Sequence, residues 1–550
     1  MIRIDSDDVP HRPGESSNLA IWAAVLVAVV GLVYSNTLNV PFLHDDFANI
    51  VENPGIRRIF PLFGAADATG FINRPVIRLS FAVNYALGGE SVTGYHLLNI
   101  LIHAASALAL FALVRLTLSM SPAFGSRLRA HATPLAFFAA LLWGVHPLNT
   151  QAVTYLSQRC ESMAGFFYIT TLYGAALASL GKRPLWGWMV AIPAFFLGLG
   201  TKEILVTAPV VVAAWQFLFA PRPFKSALWR SAPVYAAFFA GVLILAYSLI
   251  SSETKFYKSA YAYDLNRLNY AMTQPAVLVH YLKLAFWPRP LVFDYWWPIE
   301  KGLGFIPYAL VLGAGFIATV WGLFKRHPAS FAGVCFFSIL APSSSIVALT
   351  TTAAEYRMYL PLAAICSSLA VMLGVFAINR GRKALPALGI FAAILAIALA
   401  AASFTRNLDY RDAYTLWNDT VAKRPQNPRA REGLGLAISM KGDYFGAIDQ
   451  FREIITIDKN FTSAYYNIGR LLLMQNRPQE ALKYYLDAVR LAPHHWMTWK
   501  GLGVAQCRNG LFDEGILSLR KARRINPNDE TLNLYLESVL KSRQAEYWKP

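Results

Sequence analysis

Residues 384–404 read ALPALGIFAAILAIALAAASF, and the charged segment TRNLDYRD follows at once. An α-helix of 21 residues is about 31 Å long, which matches the hydrocarbon core of a bilayer. The whole chain has the matching composition, because 55% of its residues are hydrophobic and only 15% are charged, against about 25% charged in soluble domains. The stretch therefore predicts a membrane-spanning helix, and the change after Thr405 predicts where the membrane domain ends.

Ten further apolar runs precede this one in the sequence. They lie near 19–38, 92–117, 133–150, 161–180, 185–200, 204–220, 231–250, 303–324, 329–349 and 358–379. Long loops, 40–75 and 251–302, separate some of them. We expect residues 1–404 to form an all-α polytopic membrane domain of about eleven transmembrane helices.

Every second connection between these runs is basic. The residues are Arg127, Arg129, Lys182, Arg183, Arg222, Lys225, Arg230, Lys325, Arg326, Arg380, Arg382 and Lys383. Because cytoplasmic loops carry the excess of Lys and Arg, the pattern predicts a cytoplasmic N-terminus and an extracytoplasmic C-terminal region. The first run lacks a convincing cleavage site and is expected to be retained. The net charge of +18 then indicates membrane lipid as a partner, and no nucleic acid.

A period of 34 residues appears after the membrane domain. Small residues recur at that interval and are followed by large apolar ones, as in the sets Gly435, Gly469, Gly503; Ala447, Ala481, Gly515; and Phe451, Tyr485, Leu519. This period is typical of tetratricopeptide repeats (TPRs). Residues 405–550 are predicted to form a TPR α-solenoid with a half-repeat, three repeats and a capping helix. Such an array usually binds a protein segment, although a purely structural array is the alternative.

The tripeptide His44-Asp45-Asp46 follows the first apolar run by a few residues. Adjacent carboxylates at the water interface can accept a proton from a hydroxyl group or bind a hard cation. Two neighbouring acids also raise each other's pKa, which suits a general base near neutral pH. The alternative interpretation is a solvated turn or a helix cap.

Further polar residues fall on the same predicted face of the membrane. The cations are Arg74, Arg159, Lys202 and Arg357, and the others are Glu161, Glu203, Asp294, Glu355 and Tyr356. Each alone could be a snorkelling side chain or an interfacial ion pair. Together they form a candidate site, since ionisable groups near lipid are costly unless they are paired or solvated.

No sequence motif indicates a cofactor. The ten histidines lack HExxH spacing, the four cysteines lack CxxC spacing, and neither a P-loop nor a GxGxxG after a strand is present, which argues against a zinc or nucleotide site. A divalent metal at the acid pair is possible but is not predicted.

At these residues the sequence resembles the transmembrane and TPR-containing (TMTC-type) protein O-mannosyltransferases, within the GT-C class of membrane glycosyltransferases. The matching stretches are His44-Asp45-Asp46-Phe47, Asn53-Pro54, Asn73-Arg74-Pro75, Tyr95-His96-Leu97-Leu98-Asn99, residues 146–153 (HPLNTQAV), Arg159-Cys160-Glu161, Thr201-Lys202-Glu203 and residues 355–361 (EYRMYLP). Gln151 stands where the family usually has an acid, and the repeat array is short.

The resemblance implies an inverting glycosyltransferase that moves a sugar from a polyprenyl-phosphate donor to a hydroxyl of a protein acceptor. Asp45 or Asp46 would be the general base, and Arg74, Arg159, Lys202 and Arg357 would bind the donor phosphate. His44, Glu161, Glu203, Asp294, Glu355 and Tyr356 would support them, and the TPR groove would engage the acceptor. The expected location is a bacterial inner membrane, with the site and the TPRs on the periplasmic side. The alternatives are a non-catalytic membrane-anchored TPR scaffold, or glycosyl transfer to a lipid or glycan.

Overall fold

The computed structural model of the 550-residue chain describes residues 15–60, 74–181, 184–221, 223–251, 266–345, 349–381 and 384–547. Lys182, Arg183, Arg222, Arg382 and Lys383 of the predicted basic loops, and Asn73 of the family motif, lie outside the described residues. Helix dominates the described parts, and they contain no strand. The predicted all-α fold class is therefore confirmed.

The chain divides into two compact units. The membrane unit comprises Met1–Phe293 and Trp297–Asp412, and the repeat unit comprises Asp294–Trp296 and Ala413–Pro550.

Thirteen long helices of the membrane unit are described. They are α1 (Glu15–Tyr34), α2 (Pro75–Gly88), α3 (Val92–Met120), α4 (Ala132–Gly144), α5 (Arg159–Leu180), α6 (Pro184–Leu199), α7 (Ala208–Phe219), α8 (Ala232–Ser251), α9 (Arg267–Phe286), α10 (Ile306–Phe324), α11 (Ser330–Leu340), α12 (Tyr359–Arg380) and α13 (Ala384–Asn407). Shorter 3₁₀ segments connect several of them, among them Leu156–Gln158, Glu203–Thr207 and Glu355–Met358.

Six helical segments of the described chain are long and apolar enough to cross a membrane. They are Leu19–Thr37, Val92–Met120, Leu156–Leu180, Ile306–Phe324, Glu355–Arg380 and Ala384–Tyr410. A seventh candidate is the pair Phe224–Arg230 and Ala232–Tyr247, which is bent by 66°, and four shorter apolar helices accompany them. Each of the eleven predicted runs falls on one of these helices, while the number that spans the bilayer stays a prediction.

Helices α5 and α6 approach each other backbone to backbone. A Cβ atom added at Gly187 would lie 2.4 Å from the Ala178 nitrogen and 2.5 Å from the Gly174 oxygen. A Cβ atom added at Gly174 would in turn lie 2.5 Å from the Ala191 nitrogen. Small residues are what lets membrane helices pack this closely, since lipid supplies no hydrophobic driving force between them.

Gly187→Ala should therefore destabilise the membrane unit by about 1–3 kcal/mol, because the atoms that the new methyl group meets are backbone and cannot rotate away. Thermal unfolding in detergent measures the loss. Gly389→Ala in α13 is the matched control, since nothing lies within 4 Å of its added Cβ and alanine is the better helix former. Equal melting temperatures for Gly187→Ala and the wild type would contradict this packing account.

One predicted loop contains a helix. Residues 251–302 were predicted to be a long loop, but α9 occupies Arg267–Phe286 within them, so that part of the prediction is wrong. Its sequence interrupts apolar residues with Thr273, Gln274 and His280, and it lacks the uncharged run by which spans are recognised. Tyr270, Gln274 and Tyr281 are nevertheless buried.

The repeat unit consists of paired antiparallel helices in the predicted register. Its helices are α14 (Ala413–Lys423), α15 (Pro428–Met440), α16 (Tyr444–Ile457), α17 (Thr462–Met474), α18 (Pro478–Leu491), α19 (Trp496–Arg508), α20 (Phe512–Ile525) and α21 (Glu530–Tyr547). The recurring glycines face the recurring large residues, since a Cβ at Gly469 would lie 2.8 Å from the Tyr485 ring and one at Gly503 2.7 Å from Leu519. The predicted TPR α-solenoid is confirmed.

The segment Asp294–Trp296 also belongs to the repeat unit. The Asp294 carboxylate lies 2.7 Å from a terminal nitrogen of Arg429, and the Asn427 amide donates to the Asp294 carbonyl at 2.9 Å. The Arg429 guanidinium lies 4.8 Å from the centre of the Trp296 ring. Asp294 thus has an ion-pair partner and backbone contacts within the repeat unit.

Candidate functional site

The Asp46 side chain holds the turn formed by His44, Asp45 and Asp46, here called the acidic turn, through hydrogen bonds to backbone and side-chain groups. One carboxylate oxygen of Asp46 accepts hydrogen bonds from the Ser157 N–H at 2.7 Å and the Ser157 hydroxyl at 2.5 Å. The other accepts from the Leu43 N–H at 3.0 Å. These bonds hold His44 in the left-handed region at φ +46°, a conformation that a non-glycine residue rarely adopts.

Asp46 is buried, with 1% of its surface exposed. Burial raises the pKa of its carboxyl group to about 7, and the nearby negative charge of Asp45 raises it further, while the hydrogen bonds from Ser157 and Leu43 oppose the rise. The group therefore titrates close to neutrality, and both of its oxygens are already occupied by protein donors.

Asp45 has the opposite environment. Its side chain is 56% exposed, and one of its oxygens lies 3.5 Å from His44 Nε2. Its backbone N–H donates to the Tyr155 hydroxyl at 3.0 Å, which fixes the main chain without engaging the carboxylate. The rings of His44 and Tyr155 both contact Phe293, at centroid distances of 6.0 and 5.2 Å. Asp45 thus has an accessible carboxylate, and the rings of His44, Tyr155 and Phe293 pack together beside it.

Two ion pairs lie together at the ends of the neighbouring helices. Lys202 Nζ contacts the Glu161 carboxylate, with 20% and 5% of the two side chains exposed. An Arg74 terminal nitrogen lies 3.1 Å from a Glu203 oxygen, with 23% and 35% exposed. The Cys160 thiol is within electrostatic range of all four groups. We call these four residues the charge quartet; its formal charges cancel.

Tyr356 links the charge quartet to the acidic turn. Lys202 Nζ lies 5.5 Å from the centre of the Tyr356 ring, and the Tyr356 hydroxyl is within electrostatic range of both Glu161 and Asp45. Its backbone N–H donates to Gln151 Oε1 at 3.3 Å, while Gln151 Nε2 donates to the Phe293 carbonyl at 3.0 Å. Gln151 therefore joins the segment that carries Tyr356 to the one that carries Phe293.

Glu355 and Arg357, on either side of Tyr356, are buried. The terminal nitrogens of Arg357 donate to the carbonyls of Thr352 at 3.1 Å and Thr351 at 2.5 Å. The Glu355 carboxylate accepts a hydrogen bond from the Val292 N–H. Both side chains thus hold backbone segments that approach the site.

Arg159 is placed differently from the sequence expectation. Its side chain is fully buried, and its three nitrogens donate to Asn99 Oδ1 at 2.6 Å, Ser80 Oγ at 3.2 Å and the Tyr95 carbonyl at 2.9 Å. The guanidinium also lies 4.2 Å from the centre of the Phe81 ring. It therefore cross-links α2, α3 and α5 rather than facing an open surface.

The structure brings most of the predicted residues together. One neighbourhood, joined by the contacts given above, contains the acidic turn, the charge quartet and Tyr356. Its residues are His44, Asp45, Asp46, Arg74, Glu161, Lys202, Glu203 and Tyr356. Asp294 belongs to the repeat unit, where it pairs with Arg429. Among the residues that the structure describes, no three His, Cys, Asp or Glu side chains come together as a metal site.

Sequence reasoning missed Tyr155 and Ser157, which position the acidic turn. Both lie between the matched stretches 146–153 and 159–161, in a segment with no charge. Their only signal is two hydroxyl side chains two residues apart, and that pattern is too common to single them out.

The apolar helices and the relatives found by sequence comparison together define an integral membrane protein that carries tetratricopeptide repeats. Residues 399–460 and 466–530 match a family model described as tetratricopeptide repeat. Over 85% of its length the chain is 22% identical to protein O-mannosyl-transferase TMTC3 of Homo sapiens, of which 55% is covered. It is 22% identical over 83% of its length to protein O-mannosyl-transferase F38B6.6 of Caenorhabditis elegans, of which 65% is covered. The predicted resemblance is confirmed, and the chain spans a little over half the length of the human relative.

The comparison with solved structures matched ArnT and AglB, each at low similarity. ArnT from Cupriavidus metallidurans, bound to undecaprenyl phosphate, is 15% identical with a TM-score of 0.38, covering 91% of this chain and 80% of that one. The oligosaccharyltransferase AglB from Archaeoglobus fulgidus, in complex with an inhibitory peptide and a dolichol-phosphate, is 14% identical with a TM-score of 0.38, covering 76% and 60%.

Proposed function

We propose that this protein is an inverting membrane glycosyltransferase that transfers a sugar from a polyprenyl-phosphate donor to a hydroxyl of a protein acceptor. The observation that carries the proposal is the exposed Asp45 carboxylate, which is held in place by the buried Asp46 side chain and lies close to Tyr356, whose ring contacts Lys202 of the charge quartet. The similarity to named O-mannosyl-transferases supports the reaction class.

Asp45 is the proposed general base. Its carboxylate is open to an acceptor hydroxyl, whereas both oxygens of Asp46 are occupied by Leu43 and Ser157. As the acceptor oxygen bonds to the anomeric carbon, its proton passes to Asp45. The bond from that carbon to the phosphate oxygen breaks on the opposite face, its electrons leave with the phosphate, and the anomeric configuration inverts.

Lys202 and Arg74 are the proposed cations for the departing phosphate. A leaving phosphate gains negative charge in the transition state, and preorganised positive charge stabilises it most where water is scarce. In the charge quartet Glu161 and Glu203 neutralise these cations, so an incoming phosphate must compete with two carboxylates. We assign Arg159 and Arg357 to positioning, since their donors already bind protein acceptors.

The repeat unit is the proposed docking module for the protein acceptor, because stacked helical repeats create an extended concave surface for binding. The basic connections, which include Arg127, Arg129, Lys325 and Arg326, would lie in the cytoplasm by the positive-inside rule. The site and the repeat unit would then be extracytoplasmic, in a bacterial inner membrane.

Full-length protein in lipid nanodiscs tests the proposal directly. It is incubated with polyprenyl-phosphate hexoses and with exported proteins from a deletion strain as acceptors. We expect a hexose-sized mass increase on a serine or threonine, with an anomeric configuration opposite to that of the donor. Binding of exported proteins without transfer from any such donor would instead identify a scaffold.

Ser157→Ala tests, through the pH dependence of sugar transfer, whether the ionised Asp46 carboxylate positions Asp45. The ionised Asp46 is the form that accepts all three hydrogen bonds, so we expect transfer to rise as the pH rises through about 7. Removing the Ser157 hydroxyl removes a bond that lowers the Asp46 pKa, so the rising limb should shift to higher pH. Ser162→Ala is the control, since its hydroxyl donates to the Arg159 carbonyl. Superimposable pH profiles for Ser157→Ala and the wild type would contradict this role.

A further inference from the structure

A second feature of the membrane unit lies away from the acidic turn and the charge quartet. Helices α3, α5, α7, α11 and α12 enclose a cavity of about 580 Å³ with a largely apolar lining. This volume is typical of sites that take a small molecule or a lipid chain. Neither Asp45 nor any member of the charge quartet lines it.

The cavity is closed at one end and open at the other. Near the start of α12, the lining residues Leu360 and Ala363 are only 7% and 3% exposed. In the second half of α12, Met372 and Phe376 are 59% and 58% exposed. A chain that enters this cavity therefore enters from the end where α12 stops.

The exposed lining residues lie in the half of α12 that is farther from the charge quartet. Helix α12 starts at Tyr359, three residues after Tyr356, and ends at Arg380. Its 22 residues rise about 33 Å at 1.5 Å per residue, which matches the hydrocarbon core. The mouth of the cavity thus faces the leaflet opposite to the proposed phosphate site.

The mouth is polar and positively charged. His327 and Asn379 line it, and Arg380 follows with its guanidinium 4.8 Å from the centre of the Phe376 ring. No Asp or Glu occurs in residues 91–160, 162–202, 204–252, 301–354 or 356–408. These ranges include all the helices around the cavity, apart from Glu161 in the first turn of α5. A cation held at the rim of an apolar cavity, with no acid in these sequences, is complementary to an anionic lipid headgroup.

We propose that the cavity binds one acyl chain of an anionic phospholipid from the leaflet on the basic side, with its phosphate at Arg380 and Asn379. The polyprenyl chain of a sugar donor fits less well, since its phosphate would lie near Lys202 and the cavity is closed on that side. The site is therefore a lipid-binding site separate from the transfer reaction.

Photocrosslinking of the full-length protein in nanodiscs tests the proposal. The probe is a phosphatidylglycerol with a diazirine in its acyl chain, compared with the same probe in phosphatidylcholine, and labelled peptides are mapped by mass spectrometry. We expect phosphatidylglycerol to label the cavity face of α12, around Ser367 and Val371, several-fold more than phosphatidylcholine does. Ser368→Phe, which fills the cavity, should suppress that labelling.

Arg380→Gln should reduce the phosphatidylglycerol labelling several-fold, whereas Arg230→Gln should not. The control removes the same charge from another basic connection, where Arg230 is exposed and does not line the cavity. Equal labelling by the two probes, or equal labelling of the two arginine variants, overturns the proposal. So does loss of labelling on adding a polyprenyl phosphate, which would assign the cavity to the donor chain. If Ser368→Phe does not fold, the arginine pair still decides the question.

Discussion

Asp45→Asn should lower the rate of sugar transfer by about 10²–10⁴-fold, the range that a positioned general base contributes. An amide has the shape of the carboxylate but cannot take up the proton of the acceptor hydroxyl. The Asp45 side chain is 56% exposed and its fixed contact is made by the backbone N–H, so the fold should be unaffected. Single-turnover transfer with a saturating donor measures the loss, and the melting temperature checks the fold.

Glu52→Gln is the matched control, because Glu52 is an exposed acid six residues after Asp46. It should transfer at the wild-type rate. Asp46→Asn should also lose activity, but with a lower melting temperature, because an amide presents only one acceptor where Leu43 and Ser157 donate to two oxygens. If Asp45→Asn retains wild-type turnover, Asp45 is not the base, and the assignment of the reacting carboxylate is wrong.

The membrane helices could be predicted because lipid imposes a simple rule. A helix that faces hydrocarbon needs a run of apolar residues, and the stretch 384–404 meets that rule without any knowledge of its neighbours. Helix α9 does not meet it, since its polar residues are buried by tertiary packing that the sequence does not display. The TPR register could also be predicted from the sequence, because its small and large residues recur every 34 positions.

The residues of the candidate site were recognisable, but their individual roles were not. Asp45 and Asp46 are adjacent and identical in type, yet only Asp46 meets the donors of Ser157, which lies 111 residues further along the chain. Their difference is a product of tertiary contacts, and nothing in the local sequence distinguishes them.

The partners of the charged side chains could not be predicted from their charge alone. Arg159 follows an uncharged stretch and looks like an open cation, but Asn99, Ser80 and the Tyr95 carbonyl occupy its donors. Asp294 lies in an aromatic segment and pairs with Arg429, which is 135 residues away. Partners so distant in sequence could not be identified from one chain.

Lys202→Met should destabilise the membrane unit by about 3–5 kcal/mol, because it leaves the Glu161 carboxylate without its cation. Only 5% of the Glu161 side chain is exposed, so water cannot replace the lost partner. Unfolding in detergent measures the effect. Arg490→Met removes the cation of the exposed pair with Asp487, where 76% and 40% of the side chains are exposed, and should cost less than about 1 kcal/mol.

The double variant Lys202→Met, Glu161→Gln separates stability from function. Replacing both charges removes the unpaired carboxylate, so most of the stability should return. Transfer should stay low, because the departing phosphate still lacks the ammonium group that stabilises it. A double variant that is stable and transfers at the wild-type rate would show that Lys202 serves only to neutralise Glu161. In that case Arg74 would be the cation of the charge quartet that binds the departing phosphate.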